Sequence, residues 1–169
     1  MEIEDYKKQV GLVGKRTLCF LFDGDNILLW LKKSWFWKGN FLWIWWKVEK
    51  FETVEQATVR EFIEETAAKP INLKKVWVLN FYFPYVDTPD KWNQQVHVYT
   101  TMEWENGISE SEEIRPQWFR KNEIPFDLMW DDNKYWFPFL LNGEKFSGDF
   151  IFNKDLKVEK YNIKVETHI

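Results

Sequence analysis

The sequence is poor in glycine, histidine and cysteine. Its 169 residues contain 7 glycines, whereas an average usage of about 7% would give about 12. The one cysteine, Cys19, excludes a disulfide framework, and its apolar neighbours predict a buried structural thiol rather than a reactive one. The two histidines, His97 and His168, lie far apart in the sequence, and we assign neither a catalytic role.

The sequence also lacks basic clusters and long apolar runs. A net charge of -4 without a lysine and arginine cluster argues against a nucleic-acid polymer as partner, although short phosphate ligands remain compatible. No apolar segment reaches the length of a membrane span, and the first residues, MEIED, lack the apolar core of a signal peptide. We therefore expect no membrane partner, a cytoplasmic location and a monomer. Residues 1–169 should form one domain, with its core at about 17–165.

Periodicity and turn residues predict strands that alternate with helices. Apolar runs at 17–22 and 27–32 flank a turn-forming cluster, DGDN, and predict a β-hairpin. Further strands are predicted at 76–83, 96–104, 117–120, 146–152 and 158–165, with a proline-containing loop at 87–90. A late helix should begin at Asp131 or Asp132 and continue towards residues 142–143, with Pro138 limiting or kinking it.

An earlier helix carries a group of carboxylates. Thr53 and Gln56 have the spacing of a capping box, and Pro70 should stop the helix soon after Thr66. On a 3.6-residue period, one face collects Glu61, Glu64 and Glu65, and the opposite face collects Val59, Phe62, Ile63 and Thr66. Such carboxylates either bind a hard divalent cation, typically magnesium beside a phosphate, or form a solvated helix face.

The spacing around this helix favours the metal-binding interpretation. Trp46 is followed after five residues by Glu52, and after seven more by REFIEETAA at residues 60–68. This spacing resembles the Nudix box, G-x5-E-x7-R-E-U-x-E-E-x-G-U, in which U is apolar. Every polar position of the box is filled, whereas its two glycine positions hold Trp46 and Ala67.

The resemblance extends from about Thr17 to Val165, and it points to Nudix hydrolases of the MutT-homologue type, which clear oxidised purine nucleoside triphosphates. Later segments match this type almost literally, namely ESEEIRP at 110–116, WF at 118–119, IPF at 124–126, MW at 129–130 and YWFP at 135–138. The resemblance implies an α/β/α sandwich around a mixed β-sheet. It also implies Mg²⁺-dependent hydrolysis to monophosphate and diphosphate, with Mn²⁺ as the alternative metal.

Seven tryptophans stand where this family has glycine: Trp30, Trp35, Trp37, Trp43, Trp45, Trp46 and Trp77. In one explanation the coding sequence carries UGA, which some bacteria read as glycine and another code reads as tryptophan. In the other the chain is a diverged paralogue, because Phe51 and Ala67 also replace family glycines and neither arises from UGA. Genuine tryptophans at 45 and 46 should be strained by positive φ, and their loop should then bind rather than react.

The resemblance also implies the roles of individual residues. Glu61, Glu64 and Glu65 would hold the metal together with the main-chain carbonyl of Trp45 or Trp46. Glu113 would be a further ligand or the base, and Arg60 would orient the glutamates by bidentate pairing. The substrate would contact Thr17, Lys32, Phe36, Leu42, Ile44, Trp45, Trp46, Lys47, Phe81, Trp130, Asp132 and Asn133.

Two departures from the family pattern affect the base pocket. Leu42 replaces a base-reading asparagine, and Asn133 replaces the second member of an aspartate pair. Base reading by Asp132 and stacking on Trp130 compete with a plainer interpretation, in which Asp132 caps a helix and Trp130 belongs to the core. Two other functions stay open: a Nudix hydrolase of other specificity, and a non-catalytic Nudix domain that binds nucleotides or proteins.

Overall fold

The computed structural model describes residues 1–10, 13–33, 38–42 and 46–166, without the side chains of Leu42 and Trp77. Its elements are α1 (Ile3–Gln9), β1 (Gly14–Asp23), β2 (Asn26–Lys32), β3 (Phe41–Leu42), β4 (Trp46–Lys47), α2 (Val54–Thr66), β5 (Lys69–Ile71), β6 (Lys74–Tyr82), α3 (Pro89–Trp92), β7 (Gln94–Thr101), β8 (Glu103–Glu105), β9 (Ile114–Arg120), a 3-10 turn (Phe126–Leu128), α4 (Asn133–Leu141), β10 (Phe146–Phe152) and β11 (Val158–Val165). None of the helices in these ranges is long and apolar enough to cross a membrane.

The main sheet is mixed and carries the strand order β11-β10-β6-β7-β1-β2-β3, while β4 pairs with β1 and β9 pairs with β2. The pairs β1–β7 and β6–β10 are parallel, and the other pairs in this sheet are antiparallel. A small second sheet joins β5 to β8. The parallel pair β1–β7 brings the start of β1 beside the start of β7.

Helices cover both faces of the main sheet. Leu18 and Phe20 of β1 point to the α4 side, where they share a core with Phe137. Cys19 points to the other side and shares a core with Phe62 of α2. The alternation of strand side chains therefore separates two cores. The predicted α/β/α sandwich is confirmed.

Helix α1 extends the layer formed by α2. Tyr6 meets Tyr82 edge-on, with ring centroids 5.8 Å apart. Lys7 donates a 2.9 Å hydrogen bond to Asp149 of β10. Both contacts lie on the face of the sheet opposite α4, since Tyr82 and Ile151 form a cluster separate from the α4 core.

Most of the predicted elements are present. The hairpin forms β1 and β2, with Gly24 at a φ of 55° in the turn. Residues 146–152 and 158–165 are strands as predicted, and the late helix runs through Pro138. The proline-containing segment predicted as a loop includes the one-turn helix α3.

The strand predicted at 96–104 is wrong as a single element: residues 96–101 belong to β7, the chain turns at Met102, and residues 103–104 belong to β8. The Thr101 hydroxyl donates to the Ile71 carbonyl at 2.5 Å and accepts from the Glu103 N–H at 3.0 Å. These bonds direct β8 away from β7 and onto β5. The sequence analysis missed β5, β3, β4 and α1.

Helix α2 begins and ends close to the predicted residues. The capping box is formed, since the Thr53 hydroxyl accepts from the Gln56 N–H at 3.1 Å and the Gln56 amide oxygen accepts from the Thr53 N–H at 2.8 Å. The helix ends at Thr66, and the φ of 63° at its C-cap residue, Ala67, turns the chain before Pro70 is reached. The apolar face needs one correction. Ile63 is 38% exposed, and the buried residues of α2 are Ala57, Thr58, Phe62 and Thr66.

The thiol of Cys19 is buried, as predicted. Burial raises the pKa of this thiol. A thiolate is therefore disfavoured, and Cys19 is a packing residue.

Candidate active site

Arg60 is the centre of an ion-pair network on α2. Its Nε and Nη2 donate to the two carboxylate oxygens of Glu52 at 3.0 Å and 2.6 Å. Its Nη1 donates to Glu61 at 2.8 Å and to Glu64 at 3.4 Å. The guanidinium thus contacts three carboxylates at once. Only the pairing with Glu52 has the bidentate geometry that arginine favours, since Glu61 and Glu64 share Nη1.

Glu52 is held from two directions. Besides the contacts from Arg60, one of its oxygens accepts a 2.7 Å bond from the Glu49 N–H. These hydrogen bonds lower the pKa of Glu52. Glu52 therefore remains ionised and fixes Arg60, which in turn fixes the glutamates of α2.

The electrostatic environment of Glu65 is opposite to that of Glu52, because it raises the pKa of the carboxyl group instead of lowering it. Burial raises its pKa, and the negative charges of Glu113 and Glu61 raise it further. Lys32 opposes this effect, but it donates its own 2.8 Å hydrogen bond to Glu113 and thereby lowers the pKa of Glu113. Glu65 thus lies in a concentration of negative charge and forms no ion pair of its own within the described ranges.

The described ranges contain no group of three or more His, Cys, Asp or Glu residues that is already arranged as a metal centre. Arg60 draws Glu61 and Glu64 to itself, and Lys32 holds Glu113. The negative charge around Glu65 nevertheless fits a hard divalent cation with oxygen ligands.

Trp46 and Trp30 lie in the core beneath α2. Each packs edge-on against Phe62, with ring centroids 5.8 Å apart in both pairs. Trp46 pairs with Thr17 across β4 and β1 and is 4% exposed, and its indole N–H finds no acceptor within the described structure. The expectation of positive φ at Trp46 is wrong, because this residue is in a strand and is absent from the positive-φ residues.

Asp132 is completely buried at the start of α4. Its Oδ2 accepts a 2.7 Å hydrogen bond from the Trp136 indole, whereas its Oδ1 has no hydrogen-bond partner in the described part of the chain. Burial raises the pKa of Asp132 to about 7. The interpretation that Asp132 caps a helix does not hold for its side chain, which makes no capping hydrogen bond to α4.

Trp130 and Asn133 flank Asp132. The Asn133 amide donates to the Trp130 carbonyl at 3.0 Å, which closes this segment on itself. The half-buried Trp130 ring meets Phe152 edge-on at 6.1 Å and Phe83 at 6.4 Å. Trp130 therefore does pack against the α4-side core.

The structure brings together some of the predicted substrate residues. Phe81 shares the α4-side core with the aromatic partners of Trp130. Thr17 is on the other side of the sheet, where its hydroxyl meets the hydroxyl of Thr58 in α2 and the His97 carbonyl at 3.4 Å. Lys32 lies with the glutamates rather than with Phe81, and Lys47 is exposed in β4. Phe36, Ile44, Trp45 and the side chain of Leu42 are outside the described residues.

The sequence analysis missed one polar side chain, Gln94 of β7. It is 4% exposed, and its amide nitrogen has no partner among the described residues. A polar residue on the same face as Val96 and Val98 interrupts an apolar stripe. That interruption was the sequence signal that could have identified Gln94.

Comparisons with known proteins agree with this site. A NUDIX domain model matches residues 14–140. The oxidized purine nucleoside triphosphate hydrolase of Mus musculus is 35% identical over 148 residues, which cover 88% of this chain and 92% of that protein. The protein of the same name from Danio rerio is 35% identical over 151 residues, which cover 89% of this chain and 94% of that protein.

A solved structure shares the fold. The MutT protein from Bacillus halodurans superimposes with a TM-score of 0.76 at 21% identity, covering 90% of this chain and 98% of its own. At so low a sequence identity, this similarity shows only that the two proteins share a fold. Together with the domain match and the two vertebrate relatives, the acidic network on α2 shows that this chain belongs to the Nudix family.

Proposed function

We propose that this protein hydrolyses oxidised purine nucleoside triphosphates, of the 8-oxo-dGTP and 2-hydroxy-dATP type, to nucleoside monophosphate and diphosphate with Mg²⁺. This reaction would remove damaged nucleotides from the pool that supplies DNA synthesis. The observation that carries the proposal is the negative charge around Glu65 beside the network of Arg60. The mouse and zebrafish relatives, whose names give this substrate class, support it.

Glu61, Glu64, Glu65 and Glu113 are the residues that would hold the metal, together with the main-chain carbonyl at Trp45. A bound Mg²⁺ would neutralise phosphate charge and lower the pKa of a water molecule. Arg60 positions Glu61 and Glu64 through its hydrogen bonds and needs no contact with the substrate. The negative charge of Glu113 raises the pKa of Glu65, which supports a role for Glu113 as a further ligand or as the proton acceptor.

Asp132 supplies the base-reading chemistry on the other face of the sheet. A carboxyl group with a pKa of about 7 is present in both protonation states near neutral pH. It accepts a hydrogen bond from a purine N–H when ionised and donates one when protonated. Its unpartnered Oδ1 is the atom available for this contact.

A substrate panel tests the proposal. The chain, and the same chain with glycine at the seven tryptophan positions, are incubated with Mg²⁺ and 8-oxo-dGTP, 2-hydroxy-dATP, dGTP or dATP. We expect kcat/KM to be at least about tenfold higher for the oxidised nucleotides, because a base-edge contact discriminates on this scale. Preferred hydrolysis of another nucleotide would support the Nudix hydrolase of other specificity. Folded proteins that hydrolyse none of the four would overturn the proposal.

A further inference from the structure

We propose that Gln94 is a second base-reading residue, whose amide hydrogen-bonds the purine edge together with Asp132. This inference rests on the proposed function and deepens it. It starts from the burial of Gln94, which is 4% exposed and has an amide nitrogen without a partner in the described structure. A buried amide that lacks a hydrogen bond is costly, so a ligand oxygen at this place would be bound favourably.

The strand register gives the direction of the Gln94 side chain. Val96 and Val98 of β7 belong to the α4-side core, and residues two apart in a strand face the same side. Gln94 therefore faces the α4 side, whereas Gln95 faces the opposite side, where it donates to Asn80 at 3.2 Å. The direct neighbour of Gln94 in β6 is Phe81.

Asp132 lies over the same end of the sheet as Gln94. Gln94 pairs with Gly14 at the start of β1. The last residues of α4 lie at the far end of β1, since Leu140 and Phe22 line one surface cavity. The first turn of α4 must then lie over the end where β1 and β7 begin, on the face to which Gln94 points.

The two residues complement each other chemically. Within the part of the chain that the structure describes, Gln94 presents an N–H donor without an acceptor, and Asp132 presents an oxygen without a donor. An oxidised guanine has carbonyl oxygens that accept hydrogen bonds and ring N–H groups that donate them. The Gln94 amide would donate to a base oxygen, while Asp132 would accept from an N–H. An adenine base has no carbonyl oxygen and offers only ring nitrogens at other positions as acceptors, so it would fit the Gln94 N–H less well.

The test replaces the amide by an apolar group of similar length, in Gln94→Met. The matched control is Gln95→Met, which alters the neighbouring side chain on the opposite face. We measure kcat/KM for 8-oxo-dGTP and dATP in the form with glycine at the seven tryptophan positions, and the affinity for 8-oxo-dGMP by calorimetry in that form and in the chain itself. We expect Gln94→Met to lower the ratio of the two kcat/KM values, and the affinity for 8-oxo-dGMP, about tenfold. Gln95→Met should leave both within about twofold.

The thermal midpoint of the free proteins separates base reading from a structural role. Because Gln94→Met removes a buried unpaired amide, its midpoint should equal or exceed that of the unsubstituted chain. A lower midpoint with unchanged selectivity and affinity would overturn the inference and leave the proposed function standing. If 8-oxo-dGMP binds but neither the chain nor its form with glycine at the seven tryptophan positions hydrolyses the triphosphate, the proposed function fails, while the effect of Gln94→Met on affinity still decides the inference. A chain that neither binds nor hydrolyses would overturn both.

Discussion

Phe51 and Ala67, which flank α2, both adopt left-handed backbone conformations, with φ values of 74° and 63°. The resemblance described above places glycine at both positions. The backbone at these two sites therefore has a conformation that glycine adopts without strain. At Trp46 the situation differs, because that backbone is extended and the side chain fills the core beneath α2.

Replacing Ala67 by glycine should stabilise the protein by about 1 kcal/mol. A left-handed conformation costs an L-residue roughly 1–2 kcal/mol, which exceeds the entropic cost of introducing glycine. Ala68→Gly is the control, because Ala68 is fully buried and has no positive φ. It should destabilise the protein. The free energy of unfolding in urea measures both, and equal effects would show that the conformation at Ala67 carries no strain.

In the form with glycine at the seven tryptophan positions, Glu65→Gln should lower kcat by orders of magnitude while the protein remains folded. The substitution removes a carboxylate from the region of accumulated negative charge and opens no cavity. Glu55→Gln is the control, since Glu55 is exposed in the first turn of the same helix. Turnover and circular dichroism are compared at saturating Mg²⁺. A near-normal rate in Glu65→Gln would remove Glu65 from the catalytic residues.

Asp132 should make stability depend on pH in a defined window. Its pKa is raised from 3.8 to about 7 in the folded state, so the folded protein binds the proton more tightly. The contribution of this proton binding to the stability of the folded state is fully present below a pH of about 4 and is lost as the pH rises through about 7. Asp132→Asn keeps an oxygen for the Trp136 indole but cannot ionise, so its stability should lack this loss.

Because His97 also contributes to the pH dependence of stability, the chain has to be compared with Asp132→Asn rather than studied alone. Burial, followed by the charges of Lys75 and Lys15, lowers the pKa of His97 to about 4. The contribution of His97 to stability is lost as the pH falls below 6.5, the ordinary pKa of histidine, and this loss is the same in both proteins. The difference in unfolding free energy between the chain and Asp132→Asn, measured from pH 5 to pH 8, therefore isolates Asp132. A constant difference would show that Asp132 does not titrate in this range.

Trp46→Phe should change stability by less than about 1 kcal/mol, whereas Trp46→Ala should cost about 3–5 kcal/mol. Phenylalanine keeps an aromatic edge against Phe62 and removes the unpaired indole N–H. Alanine leaves a cavity beneath α2. Chemical denaturation compares the two variants, and a small cost for Trp46→Ala would mean that Trp46 does not support the helix.

The α2 site could be predicted because its determinants are local. The capping pair Thr53 and Gln56 and the spacing from Glu52 to Glu65 are legible within one helix and its approach. The helix α1 could not be predicted, because its seven residues depend on distant partners such as Asp149, which Lys7 meets across 142 positions. The burial of Asp132 and Gln94 likewise depends on how α4 and β7 pack, which no local pattern specifies.

The central claim is that the acidic residues of this chain form a Nudix catalytic centre for oxidised purine nucleotides. Its most direct test is Mg²⁺-dependent release of pyrophosphate from 8-oxo-dGTP, measured side by side for the chain and for the form with glycine at Trp30, Trp35, Trp37, Trp43, Trp45, Trp46 and Trp77. We predict release by the glycine form, with slow or no release by the tryptophan form, because tryptophan at the loop positions where the resemblance places glycine would obstruct the approach of phosphate to the backbone. The buried Trp30 and Trp46 act on packing instead. Robust release by the tryptophan form would refute only the argument about the glycines and would leave the central claim standing. A folded glycine form that releases no pyrophosphate would contradict the central claim and favour a binding domain.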